Sequence, residues 1–334
     1  MITKEQIITN LEMVPAPVSM RSIVGLNLVK DINISGDKVN IKLASTGLAP
    51  GAQEWIENKV EKSIKELPEV KEVTVEYSDA NAKDLNQIKH IIAVMSGKGG
   101  VGKSLVSGLA AIALNRKGFS VGILDADITG ASIPKMFNLK DMPSGNESGI
   151  LPLLSRSGIE VMSVNLLIPN EDDAVIWRGP MIGNTIKQFG EDVLWGKLDY
   201  LIIDLPPGTA DAPLTVMQSF PLTGVIIVFT PQDLVEMIVR KAVNMARKME
   251  KPVLGVVENM SYLHVPELKK NIEVFGRSRG EELAHIANAP LLARLPIDPE
   301  LVKLCDAGDI ERYDNETVNK FGESLLTVIP SVTG

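Results

Sequence analysis

Thiol, imidazole and basic side chains are all scarce in this chain. Its 334 residues include one cysteine, Cys305, so no disulfide closes within it. There are three histidines, and two of them, His90 and His285, have no recognisable partner in sequence. Lys and Arg number 34 against 42 Asp and Glu, a formal net charge of -8. That balance disfavours bulk binding to nucleic acid or to an anionic membrane. No apolar run approaches the roughly 20 residues of a membrane span. The opening residues, Met1-Ile-Thr-Lys-Glu-Gln, lack the apolar stretch of a signal peptide, and a cytoplasmic location is the expectation.

What is present is ordinary globular material, 45% hydrophobic and 23% charged, in a length suited to about two domains. Residues 1–79 read as a small α+β domain. Thr3 to Met13 has helical spacing, Ile23 to Ile34 and Lys38 to Leu43 have strand spacing, and Ser35-Gly-Asp37 is a turn. A helix opens at Pro50 and stops at Pro68, and Val70 to Tyr77 alternates as a strand. Residues 80–89 are polar and read as a linker, and residues 90–334 form the second domain.

In that second domain strands alternate with helices. The expected strands are Ile91–Met95, Val121–Asp125, Ile159–Val164, Tyr200–Asp204, Val225–Thr230, Val253–Glu258 and Leu291–Leu295. Most are apolar along their whole length, as in a parallel sheet covered on both faces. The fold class expected is α/β, a doubly wound, mostly parallel sheet preceded by the small α+β domain. Ligands bind such sheets at the carboxyl ends of the strands.

One glycine-rich stretch lies at such an end. Gly97, Gly102, Lys103 and Ser104 fit the P-loop pattern G-x-x-x-x-G-K-[ST], between an apolar strand and a small-residue helix. The backbone N–H groups of Gly97, Lys98, Gly99, Gly100, Val101 and Gly102 can close on phosphate oxygens. Lys103 can reach the β- and γ-phosphates, and Ser104 can ligate Mg²⁺. Asp204 ends an apolar strand and suits Mg²⁺ held through water. Asp127 follows Asp125 after another strand and could orient the attacking water or bind the metal's outer shell. Either aspartate could instead be a helix N-cap. Asn259 offers a donor and an acceptor that match adenine N6 and N7, and Pro296 with Asp298 could close the other side of the base. Turn roles for Asn259 and Asp298 are the competing reading.

These stretches together resemble the Mrp/ApbC iron–sulfur cluster carriers. They belong to the P-loop ATPases with a deviant Walker A motif, which include MinD, ParA and the nitrogenase iron protein. The matching residues are Ser96-Gly-Lys-Gly-Gly-Val-Gly-Lys-Ser104, Leu124-Asp-Ala-Asp-Ile128 with Gly130 and Ser132-Ile-Pro134, and Trp177-Arg-Gly-Pro-Met181. Further matches are Asp199 to Thr209, Thr230-Pro-Gln232, Glu258-Asn-Met-Ser-Tyr262 and Phe275-Gly276. The N-terminal unit resembles the family's appended domain. The resemblance implies ATP and Mg²⁺ as cofactors, slow hydrolysis, a homodimer, and iron–sulfur scaffold or client proteins as partners. It implies that Lys98 reaches nucleotide held by a partner subunit.

The chain departs from the family at its thiols. Where the family has C-P-x-C, this sequence reads Val265-Pro-Glu-Leu268, and neither aliphatic side chain binds iron. Ala49 stands before Pro50 where the family often has cysteine. His264 and Cys305 are the remaining candidate ligands, against the alternatives of a loop histidine and an inert core cysteine. Phe321, Leu325, Leu326 and Ile329 read as core packing, since they lack the basic face of a membrane helix. Two functions follow: an ATPase of iron–sulfur cluster assembly or transfer, or an ATP-dependent dimer switch that binds partners and carries no cluster itself.

Overall fold

The computed structural model describes residues 2–17, 19–127, 130, 132–167, 179–209, 211–232 and 235–330, with backbone alone for 179–182, 211–212 and 235. The chain divides into two compact units. The first takes Met1–Ile88 together with Met142–Leu154 and Gln188–Leu198, and the second takes Lys89–Asp141, Ser155–Lys187 and Asp199–Gly334.

The first unit opens with α1 (Lys4–Leu11), whose capping box pairs Thr3 with Gln6 in both directions. Strand β1 (Val29–Ser35) runs antiparallel to β2 (Lys38–Ala44), and β2 runs parallel to β3 (Glu72–Ser78). Helix α2 (Pro50–Lys65) buries Ile56, Val60 and Ile64, spaced to fall on one face. Pro50 at its first turn gives up only an N–H that has no helical partner.

Three features here differ from the sequence reading. Residues 23–28 are a turn, with Asn27 at φ 58° and Leu28 N bonded back to Ile23 O. Ile23 and Leu26 are buried there, so strand-like apolar spacing came from a packed turn. Within residues 80–89, Ala82–Leu85 is a helical turn with both end residues buried, and Gln87 opens the next strand. Finally, Leu151 and Leu194 sit in this unit's core although they lie far along the chain.

In the second unit the seven expected strands are all present. They are β4 (Gln87–Met95), β5 (Val121–Asp125), β6 (Glu160–Ser163), β7 (Lys197–Asp204), β8 (Gly224–Phe229), β9 (Val253–Glu258) and β10 (Leu291–Arg294). Their order is β10-β9-β8-β4-β7-β5-β6. The pairings β7–β5, β5–β6, β8–β4, β8–β9 and β9–β10 are parallel. The helices of eight residues or more are α3 (Lys103–Asn115), α4 (Gly179–Asp192), whose residues from Gln188 on belong to the first unit, α5 (Asp211–Ser219), α6 (Val235–Lys248), α7 (Gly280–Ala287), α8 (Pro299–Ala307) and α9 (Glu316–Val328).

The core forms where α3 lies against the sheet through Val106, Leu109, Ala110 and Ala113. Helix α9 adds Phe321 and Leu325, both fully buried, with Ile329 beside them. The apolar C-terminal stretch is therefore core. Among the described residues no helix is long and apolar enough to cross a membrane. Because the paired strands run parallel, their carboxyl ends share one edge. In the β7–β5 register, Asp204 stands opposite Asp125.

Candidate phosphate and metal site

The P-loop leaves β4 at Met95 and enters α3 at Lys103. Gly97 admits no side chain, since a Cβ would stand 2.1 Å from Ile238 Cγ2 and 2.6 Å from the Ile238 carbonyl oxygen. Gly102 caps α3 at φ 78°, and a Cβ there would meet Asn259 Nδ2 at 2.2 Å. Gly99, Gly100, Val101 and Gly102 line one wall of a cavity of about 550 Å³, within the range usual for ligand sites. Its floor is the N-terminal turn of a 13-residue helix, whose first N–H groups lack helical partners and favour an anion.

Lys103, only 5% exposed, projects into a ring of oxygens. Its Nζ lies 2.8 Å from Asp204 Oδ1, 3.4 Å from Ser104 Oγ and 3.6 Å from Asp127 Oδ2. Ser104 Oγ is 2.5 Å from Asp204 Oδ2, and Ser107 Oγ is 2.7 Å from Asp204 Oδ1. Asp204 itself is fully buried. Asp125 lies beside it, accepting from Asp127 N at 3.2 Å and Ile133 N at 3.3 Å. Burial first, and the charge of Asp204 second, push the Asp125 carboxyl well above the usual carboxylate range.

The structure thus brings Lys103, Ser104, Asp127 and Asp204 together, as the sequence reading expected. Ser104 Oγ and the Asp204 carboxylate are adjacent hard oxygen donors, a set that fits Mg²⁺ completed by phosphate and water. Among the described residues no group of three or more His, Cys, Asp or Glu is placed to hold a metal by itself. Lys98 bonds to Gln232 Oε1 of its own chain.

The residues expected around the base, Asn259, Pro296 and Asp298, line the same cavity, and two of them have partners within the chain. Asn259 is 1% exposed and its Nδ2 donates to Val101 O at 2.9 Å. Asp298 caps α8, accepting from Glu300 N at 2.9 Å, and its other oxygen accepts from Tyr313 Oη at 2.7 Å. Pro296 lines the cavity, whose apolar end adds Met260, Phe275, Leu301 and Cys305. Cys305 is half-buried rather than sealed in the core, and burial raises its thiol pKa to about 11, with Asp306 adding to the effect. Ser107 escaped the sequence reading, although four residues beyond Lys103 on one helix places both on the same face.

Val265 and Leu268 fall on a small hairpin, Leu263–Val265 against Lys270–Ile272. Leu268 is 61% exposed, and His264 Nδ1 lies 2.7 Å from Asn271 Oδ1. The hairpin's neck is tied to the fully buried Glu258, which accepts from Ser261 Oγ and Ser278 Oγ at 2.6 Å each and from Arg279 N at 2.7 Å. Ile128, Trp177 and Arg178, which contributed to the resemblance, lie outside the described residues.

Residues 87–330 match the family model described as NUBPL iron-transfer P-loop NTPase. The chain belongs to that family. Residues 4–76 of this NUBPL-family chain match a second model, iron-sulfur cluster assembly protein. An iron-sulfur cluster carrier protein of Synechocystis is 39% identical over 322 residues, spanning 92% of this chain and 90% of its own. One from Clostridium perfringens is 47% identical over 234 residues, 68% of this chain and 82% of its own. A solved nucleotide-binding protein of Archaeoglobus fulgidus, in complex with ADP, superposes with a TM-score of 0.64 at 41% identity. That match covers 75% of this chain and 97% of the other. The MinD cell division ATPase of Pyrococcus furiosus, at 21% identity and TM-score 0.52 over 72% of this chain and 99% of its own, shares the fold.

Proposed function

We propose that this NUBPL-family chain binds ATP with Mg²⁺, hydrolyses it slowly, and uses the cycle to serve iron–sulfur cluster assembly or transfer. The observation that carries the reading is the buried contact of Lys103 with Asp204 beside Ser104, at the mouth of a P-loop backed by Gly97 and Gly102. Family membership and the ADP complex of the 41% identical relative support nucleotide as the ligand.

Bound Mg²⁺ would supply Lewis-acid neutralisation of the β- and γ-phosphate charge. Lys103 would turn from Asp204 to those phosphates. The Ser104 hydroxyl, donating to Asp204 Oδ2, keeps lone pairs free for a metal. Asp127, near Lys103 but outside that hydrogen-bonded pair, would orient water. Lys98 is assigned to nucleotide across a two-fold axis, which requires it to leave Gln232 when a homodimer closes.

A specific observation favours the form of this reading in which the chain itself supplies no cluster thiols. Val265 and Leu268 stand on the hairpin at the positions where the resemblance places cysteines, so a cluster served by this protein would be held by cysteines of a scaffold or client. Calorimetry and sedimentation with a non-hydrolysable ATP analogue and Mg²⁺ test the core of the proposal. Binding with tightening of a dimer is expected. A chain that binds no analogue, or stays monomeric when loaded, would overturn it.

A further inference from the structure

The Ser107 hydroxyl is fully buried and within reach of two acceptors, Asp204 Oδ1 at 2.7 Å and Lys103 O at 3.2 Å. A hydroxyl has one proton to give. The shorter distance and the charge of the carboxylate assign it to Asp204. Asp204 Oδ1 therefore has two donors, Ser107 and Lys103, while Oδ2 has Ser104.

We infer that Ser107 is a positioning residue that frees Lys103 for phosphate. The inference rests on the nucleotide reading above and deepens it. As Lys103 turns toward phosphate, its hold on Asp204 Oδ1 weakens, and that oxygen sits in a side chain with no solvent exposure. A buried carboxylate oxygen left without a donor is costly. Ser107 remains on Oδ1 when Lys103 departs. It also fixes the carboxylate plane, so that Oδ2 keeps facing Ser104 and the metal side. Without Ser107 the buried oxygen would hold Lys103 more tightly, and the loaded state would be disfavoured relative to the empty one. The empty protein would feel little, because Lys103 still satisfies Oδ1 there.

The test compares the parent with Ser107→Ala and Ser107→Thr in the full chain. Three quantities are measured: affinity for a non-hydrolysable ATP analogue with Mg²⁺, Mn²⁺ affinity of the analogue-loaded protein by electron paramagnetic resonance, and melting temperature without nucleotide. Ser107→Ala should lose about 10- to 100-fold in analogue affinity, the range of one hydrogen bond to a charged group. Mn²⁺ affinity should fall with it, the nucleotide-free melting temperature should stay near the parent's, and Ser107→Thr should recover most of the affinity. Parent-like affinities in Ser107→Ala would overturn the inference. So would a nucleotide-free destabilisation as large as the binding loss, which would make the hydroxyl merely structural. Failure of the parent itself to bind would instead overturn the nucleotide reading.

Discussion

Asn259 Nδ2 donates to the carbonyl oxygen of Val101, a residue of the P-loop itself, across 2.9 Å. The amide nitrogen therefore braces the loop, against Gly102, whose missing Cβ makes room for it. A strut supports phosphate binding whatever base is attached. Asn259→Ala should weaken ATP and GTP analogues alike, by about 10-fold for one lost buried hydrogen bond. Competition binding with both analogues checks this, and a loss confined to the adenine nucleotide would instead support the amide as a base contact.

Lys103→Ala should cost analogue affinity about 100-fold or more, since it removes a charged donor aimed at phosphate. It also strips the buried Asp204 of its cation, so the empty protein should melt earlier. Calorimetry and thermal melts read the two effects separately.

Asp127→Asn should retain analogue binding and slow single-turnover hydrolysis on the order of 10- to 1000-fold. Asparagine keeps the shape and loses the charge to which the proposal gives the orientation of water. An unchanged rate would remove Asp127 from the chemistry.

The hairpin predicts a gain of function. Anaerobic reconstitution with iron and sulfide should leave the parent without a stable bridging cluster, and Cys305→Ser should not alter that. Val265→Cys/Leu268→Cys supplies two thiolates per chain, four per dimer, and should take up stoichiometric iron. Iron counting and visible absorbance decide, and a parent that already holds a cluster contradicts the prediction.

His90 gives a pH signature. Its buried ring stacks on Tyr200 at 5.3 Å, and burial lowers its pKa from 6.5, opposed by Asp199 and assisted by Lys89. Above about pH 6.5 the ring is neutral in the folded and unfolded chains alike, and its stabilising contribution is complete. As pH falls through 6.5 the unfolded chain takes up a proton that the folded ring resists, so stability declines until the folded ring titrates as well. Thermal melts from about pH 7 to 5 should show that decline, and His90→Phe, which keeps an aromatic ring for the stack, should flatten it.

The seven expected strands and the P-loop were legible because each is a local signal: an unbroken apolar run, or glycines at fixed spacing. Asp204 was legible for the same reason, lying at a strand's carboxyl end. What escaped depends on distant pairing. Leu151 and Leu194 join the first unit's core from far along the chain, and no local pattern announces that. Ile23 and Leu26 carry a strand's spacing into a buried turn. Asp298 gains its second partner, the Tyr313 hydroxyl, only in the fold.

Glu258 grips both sides of the hairpin's neck through Ser261 and Ser278. Val265 and Leu268 lie beyond that grip and outside the lining of the P-loop cavity, which Phe275 of the same segment does join, so those two positions can be rewritten while Glu258 still holds the hairpin's base. A lineage could exchange thiols for aliphatic side chains at those two positions in as few as two substitutions, and later exchange them back, with the buried anchor beneath them unchanged.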